Sequence, residues 1–241
     1  MGLLTDLFFP RTCPFCGRYI SRQDCTIEHI DLICKDCLRR LPRTEQDITA
    51  DNGTEMALLG DGSSLSAARK RLHLVRAWAY LFFEKEHPIQ HVIHRMKYAD
   101  EPELGYRLAQ QAVLSCRDEN FFDEIDVIIP MPLHPKRLRE RGYNQSEYIA
   151  RGISDLTGIP VDTTHVTRAR NTPKQALQDG EGRKTNVADA FAVNHPEQLY
   201  HKHILLVDDL ITTGETVKAC LRAMRVIRGA KFSVFALCKA R

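Results

Sequence analysis

Two adjacent carboxylates, Asp208 and Asp209, stand two residues before the run Thr212-Thr213-Gly214-Glu215-Thr216. An apolar run precedes the acids and a helical pattern follows the threonines, so the turn lies where a strand gives way to a helix. Backbone N–H groups at a helix start have no partner within the helix and can donate to an anion. Gly214 removes a side chain that would block close approach, and the threonine hydroxyls add donors. The acids do different work, because they repel a phosphate unless sugar hydroxyls, a divalent metal or both lie between. Acids for a ribose and donors for its phosphate suit a ribose 5-phosphate ligand.

A second chemical set is Cys13-Pro14-Phe15-Cys16 with Cys34-Lys35-Asp36-Cys37, a C-x₂-C-x₁₇-C-x₂-C array. This spacing reads as a zinc site, in which four thiolates close a tetrahedron and leave no position for water. Such a metal, Zn²⁺, supplies folding energy that so short a segment lacks from its own core. Cys25 and His29 lie between the knuckles, and Cys25, lacking a paired cysteine, reads as a small hydrophobe. Residues 1–45 carry seven basic and six acidic side chains. Four thiolates on one Zn²⁺ subtract two charges and leave the module at about −1, which argues for a structural or docking unit over a DNA-binding finger.

A third set is basic: Lys136, Arg137, Arg139 and Arg141. Guanidinium forks suit bidentate capture of pyrophosphate.

The elements that position these sets follow from periodicity. Residues 204–207 read as a strand buried on both faces that ends in the acid pair, with Val217, Cys220, Leu221, Met224 and Ile227 at helical spacing after it. Residues 125–130 form another buried strand, which Met131-Pro132-Leu133-His134-Pro135 turns out of the sheet. A helix opened by Asn144 or Gln145 carries Tyr148, Ile149, Ile153 and Leu156. Ligands of parallel α/β sheets sit outside the carboxyl ends of the strands, so the loops at 131–144 and 208–216 should share one crevice. Residues 75–83 read as a strand or hairpin arm, and residues 161–170 and 232–238 as further strands. Pro88 starts a helix with Ile89, Val92, Ile93 and Met96 inward, and a second helix covers 103–116. His87, His91 and His94 lie on the first of these helices as a solvated face, and Lys97 closes it. Lys218, Arg222 and Arg225 also fall at helical spacing. Residues 171–188 are polar, glycine-bearing and aperiodic, the mark of a functional lid or of disorder.

The chain has 241 residues, 43% hydrophobic and 27% charged, ordinary for one full α/β domain with a small accessory unit. The expected division is a four-cysteine module over 1–45, a linker or mobile loop over 46–70, and the α/β domain over 71–241. A net charge of +3 makes no case for nucleic-acid binding by itself. The N-terminus lacks a basic n-region, and no apolar run reaches membrane-spanning length, so a cytoplasmic chain without membrane insertion is expected.

The residues V-D-D-L-I-T-T-G-E-T resemble the PRPP-binding motif of type I phosphoribosyltransferases, where two acids precede a T-T-G-x-T loop. Glu215 stands where a small residue is usual, so its side chain has to turn away. With C-P-F-C and C-K-D-C in front, R-L-R-E-R-G-Y-N-Q in the middle, M-K-Y before the second helix and R-K-T-N-V-A-D-A-F later, the chain resembles the ComF/GntX group of competence-associated phosphoribosyltransferase-like proteins. The resemblance spans nearly the whole length. It implies a type I phosphoribosyltransferase-like, mostly parallel sheet flanked by helices, with a small N-terminal zinc-binding module. It implies PRPP as ligand with Mg²⁺ as its companion, and transfer or hydrolysis of the phosphoribosyl group with loss of pyrophosphate. Asp208 and Asp209 would then hold the ribose hydroxyls, and residues Thr212, Thr213, Gly214, Glu215 and Thr216 would form the 5-phosphate turn. Lys136, Arg137, Arg139 and Arg141 would take pyrophosphate. Gln175, Arg183, Lys184 and Asn186 would belong to a lid closing over the reaction. The same resemblance carries an alternative, a non-catalytic PRPP sensor or an accessory protein that binds single-stranded DNA among DNA-uptake proteins.

Overall fold

A computed structural model describes residues 12–20, 33–44, 72–116, 118, 120–168 and 190–240. Its centre is a parallel sheet of four strands, β1 (Leu74–Phe83), β2 (Val127–Pro130), β5 (His203–Ile211) and β6 (Lys231–Ala240), in the spatial order β1-β6-β5-β2. Two short strands, β3 (Val166–Arg168) and β4 (Phe191–Val193), pair antiparallel in a separate ribbon. The α-helices among the described residues are α1 (Lys35–Arg39), α2 (Ile89–Tyr98), α3 (Glu103–Leu114), α4 (Pro135–Arg141), α5 (Gln145–Thr157) and α6 (Glu215–Ala223). The mostly parallel sheet flanked by helices is the fold class expected from the sequence.

Both faces of the sheet are covered, which explains why its central strands are apolar without alternation. On one face Trp78, Tyr80, Leu205, Val207, Phe235 and Leu237 pack with α2, α3 and α5. On the other, Ile129, Ile204, Leu206, Val234 and Ala236 pack with α6 and the β3–β4 ribbon. Helix α5 approaches α3 closely because Gly152 lies against the Tyr106 carbonyl, where a Cβ would come within 2.3 Å of the oxygen.

The outer edges of the sheet are occupied by short chain segments. Beside β1, Phe82 N donates to Pro42 O at 2.6 Å, Thr44 N donates to Tyr80 O at 3.0 Å, and the Thr44 hydroxyl donates to Ala79 O. Beside β2, Ile128 N donates to Pro160 O at 2.9 Å and Asp162 N to Ile128 O at 2.9 Å. Pairing of this kind removes a template for unwanted strand addition. The front segment also contributes Ile20, Ile33, Leu38 and Leu41 to the same core as Trp78 and Tyr80.

Three sequence expectations change. Residues 75–83 are a parallel strand against β6, not a hairpin arm, because their partner is the last strand of the chain. Strand β5 does not end at the acid pair: Leu210 pairs with Cys238 and Ile211 with Lys239, so the turn begins at Thr212. Among the described residues of 161–170, which end at 168, Val166–Arg168 forms a strand and Val161 makes an isolated bridge to Ile128. No helix among the described residues is long and apolar enough to cross a membrane.

Candidate functional site

Asp208 and Asp209 lie inside β5 and are buried, with 9% and 4% of their surface exposed. Alternation along the strand sends them to different sides, Asp208 with Ile204 and Leu206, Asp209 with Leu205 and Val207. Strand β2 leaves the sheet opposite Val207, so the flank of Asp208 is open to the start of α5. There the Ser146 hydroxyl donates to Asp208 Oδ1 at 3.3 Å, and the same oxygen accepts the Asp209 N–H at 2.9 Å. Burial first, and the neighbouring Asp209 charge second, push the Asp208 carboxyl up to about 7. Asp209 Oδ2 meets the Lys97 ammonium at 2.8 Å, from the last turn of α2.

The β2 side of the crevice is built by its own caps. His134 Nδ1 accepts the Lys136 N–H at 3.2 Å and Pro135 fills the first turn, which opens α4. Gly142, at φ +85°, ends it in the left-handed conformation. Asn144 then ties two elements together: its Nδ2 donates to Met131 O at 3.1 Å and its Oδ1 accepts the Ser146 N–H at 3.1 Å. The Tyr143 hydroxyl donates to Met96 O at 2.8 Å, which fastens the end of α2 to this junction.

Helix α4 buries no residue, and its basic side chains divide by face. Arg137 and Arg141, one turn apart, are half-buried, whereas Lys136 and Arg139 are exposed. Arg141 donates to Gln145 Oε1 and lies over the Tyr98 ring at 5.2 Å. Lys136 faces Glu140 at 4.0 Å on the solvent side.

Across the crevice, Gly214 takes φ +73° and caps α6. Thr212 and Thr213 are exposed beside it. Glu215 does not keep a free carboxylate at the turn: its Oε1 is bound by Lys218 at 2.7 Å. Lys218 is itself buried, so the basic set Lys218, Arg222 and Arg225 is not one solvated face; of the three, the last two are exposed. Gln175, Arg183, Lys184 and Asn186 lie outside the described residues, as do the 46–70 segment, Cys25 and His29.

At the front, the sulfurs of Cys13, Cys16, Cys34 and Cys37 all lie within 4.8 Å of one another, with Cys16 and Cys34 at 3.7 Å. A tetrahedron with metal–sulfur bonds of about 2.3 Å requires sulfurs about 3.8 Å apart, so the set fits a metal ion such as Zn²⁺. Gly17, at φ +71°, turns the first knuckle, and its N–H donates to Cys13 O at 2.8 Å. Arg18 and Asp36 join the two knuckles at 2.6 Å.

Mg²⁺ fits the acid pair poorly. A hard cation needs free carboxylate oxygens, whereas Asp209 Oδ2 is ion-paired with an ammonium and Asp208 Oδ1 already accepts two hydrogen bonds.

No family model matches the chain. It is 31% identical over 155 residues to the DNA utilization protein YhgH of Escherichia coli, covering 63% of this chain and 67% of that protein. It is 30% identical over 158 residues to competence protein F of Haemophilus influenzae, covering 64% of this chain and 69% of that one. The chain belongs to the competence protein F family. A solved allosteric regulatory enzyme of purine biosynthesis superposes with a TM-score of 0.39 at 17% identity, over 58% of this chain and 29% of that one.

In this competence protein F family member, two residues at the crevice escape a reading by motif. Ser146 sits inside the apolar pattern of α5 yet is 1% exposed with its hydroxyl on Asp208. Arg168, at the end of β3, packs its guanidinium on the Phe191 ring at 5.3 Å. Burial and the charge of Arg137 lower its pKa, and Asp208 opposes that shift, so Arg168 stands within electrostatic reach of both. Arg168 and Arg170 stand on either side of Ala169 before an aperiodic segment, and nothing in the sequence singles out the first for this placement.

Proposed function

We propose that the crevice binds a ribose 5-phosphate compound, PRPP in its fullest form, and transfers or hydrolyses the phosphoribosyl group with release of pyrophosphate. The observation that carries this reading is the joining of two loops at one sheet edge. Ser146, in the first turn of α5 just after the basic loop, is hydrogen-bonded to Asp208, on β5 shortly before the threonine-glycine turn. Asp208 and Asp209 then face the ribose hydroxyls. Thr212, Thr213, Gly214 and Thr216 surround the 5-phosphate, with the free N–H groups of the first turn of α6 as donors. Arg137 and Arg141, with Lys136 and Arg139 at the rim, receive the pyrophosphate. As the C1–oxygen bond breaks, the electron pair leaves with pyrophosphate and the sugar carbon becomes cationic. Carboxylate charge fixed beside that carbon lowers the barrier without reorganisation. The acceptor, a base nitrogen or water, bonds to C1 and gives up its proton.

The test is a thermal shift with PRPP and with ribose 5-phosphate, repeated on Asp208→Asn/Asp209→Asn. A ligand that binds only the folded state raises the melting temperature. The wild type should respond and the double variant should not; an equal response would remove the acids from the site. Pyrophosphate release in the presence of a panel of bases then measures turnover.

A second reading has its own observation. The Tyr98 ring is 58% exposed, lies under the Arg141 guanidinium and packs beside His94 at 4.9 Å. An open ring beside a basic helix suits a base of single-stranded DNA, and the relatives named for DNA utilization and competence favour it. Affinity for single strands that falls steeply with salt and drops on Tyr98→Ala, with no pyrophosphate released, would support an accessory role in DNA uptake.

A further inference from the structure

Two carboxylates that are neighbours on one buried strand cannot both stay charged unless something opposes them. On Asp209 the opposing charge is the Lys97 ammonium, 2.8 Å from Oδ2, with side chains only 18% and 6% exposed. The backbone carrying that ammonium is firmly held. Ile89, Val92, Ile93 and Met96 bury one side of α2, and the Tyr143 hydroxyl holds the Met96 carbonyl, one residue before Lys97. Arg95 grips Glu101 with two nitrogens across the turn that follows. Lys97 is therefore presented by a docked helix, not by a mobile loop. Asp208 is served differently, by the Ser146 hydroxyl and the Asp209 N–H. Asp209 Oδ2 is buried without a hydrogen-bond donor among the described residues, and the Lys97 ammonium is its ion-pair partner.

We infer that Lys97 is the resident cation of the acid pair, excluding a divalent metal from Asp209 and leaving a carboxylate–ammonium pair to meet the ligand. The ligand half of this statement rests on the phosphoribosyl reading above; the exclusion of metal rests on the geometry alone. Any Mg²⁺ that accompanies PRPP would then arrive with the ligand, and the acids would contribute charge without holding it. Lys97 acts here as a positioning residue: its ammonium sets the charge and orientation of Asp209.

The exclusion is tested without any sugar phosphate, using Mn²⁺ as a paramagnetic probe and reading bound ion by electron paramagnetic resonance on the full, zinc-loaded chain. The four cysteines favour softer metals and interfere little. Wild type and Asp209→Asn should bind Mn²⁺ equally weakly. Lys97→Met and Lys97→Gln should gain one site, tighter by about ten-fold or more, that Asp209→Asn removes. Lys97→Arg should behave as wild type, whereas a merely structural role for Lys97 would create no Mn²⁺ site in any variant. The inference is overturned if wild type holds Mn²⁺ at a site that Asp209→Asn abolishes, or if folded Lys97→Met and Lys97→Gln gain no such site. The wild-type comparison needs no Lys97 variant, so misfolding of those chains leaves refutation open. Failure of PRPP to bind would sink the phosphoribosyl reading and leave this result standing.

Discussion

Asp208→Asn should make the protein more stable at slightly alkaline pH, although it removes a residue proposed to serve the site. Asparagine keeps an oxygen for the Ser146 hydroxyl and the Asp209 N–H, and it has no charge to desolvate. Because burial raises the folded carboxyl above its unfolded value, the native state holds its proton more tightly. The contribution of Asp208 is therefore fully favourable below the ordinary carboxyl value of 3.8 and is lost as pH rises to about 7. At about 1.4 kcal/mol per pH unit, the full loss approaches about 4 kcal/mol, and the part between pH 5 and pH 8 is about 3 kcal/mol. Urea denaturation of both proteins from pH 5 to pH 8.5 measures it. The stability difference in favour of the variant should widen with pH and level off above about pH 7. A difference that stays flat across this range would refute the reasoning, since it would mean that Asp208 is solvated and titrates as an ordinary acid. So would an asparagine variant less stable than wild type at pH 8.

Other consequences can be measured directly. Cys34→Ser should drop bound zinc from about one per chain toward none by mass spectrometry and lower stability by several kcal/mol, because the metal supplies the folding energy of its segment. Gly152→Ala should cost about 3 kcal/mol in a urea titration, since its Cβ would press on the Tyr106 carbonyl between two packed helices. Gly142→Ala meets nothing within 4 Å. It should cost only about 1 kcal/mol of left-handed strain, and a larger loss would mean that the α4 cap matters to the core.

The parts of this molecule written in short-range pattern are legible in the sequence. Periodicity marks α2 and α3, a helix start at Asn144 or Gln145, and extended segments at the four strands of the central sheet, because each is specified by its own burial or its own cap. Helix α4 was legible only as a basic cluster: with no buried face it carries no periodicity, and its evidence is local, a capping histidine followed by proline. The sequence pattern understates β5 because charged residues ordinarily end a buried strand. Here Lys97 and Ser146 compensate the two acids, and the ladder continues past them. That compensation could not be foreseen from the motif, since Lys97 and Asp209 are joined only through the packing of α2 against the sheet. The pairing of β1 with the final strand is invisible for the same reason: propensity marks a strand and says nothing of its neighbour.

Residues 42–44 lie along the rim of β1, one strand width outside the ladder, and they follow directly on the second cysteine knuckle. A ribosome releases this clasp before it releases the strand to be clasped. Metal loading early in synthesis would thus have a guard in place before Leu74–Phe83 can recruit a stranger's backbone. Starved of metal, the same chain should lose solubility before it loses its helices, and the first sign would be assembly through that bare rim.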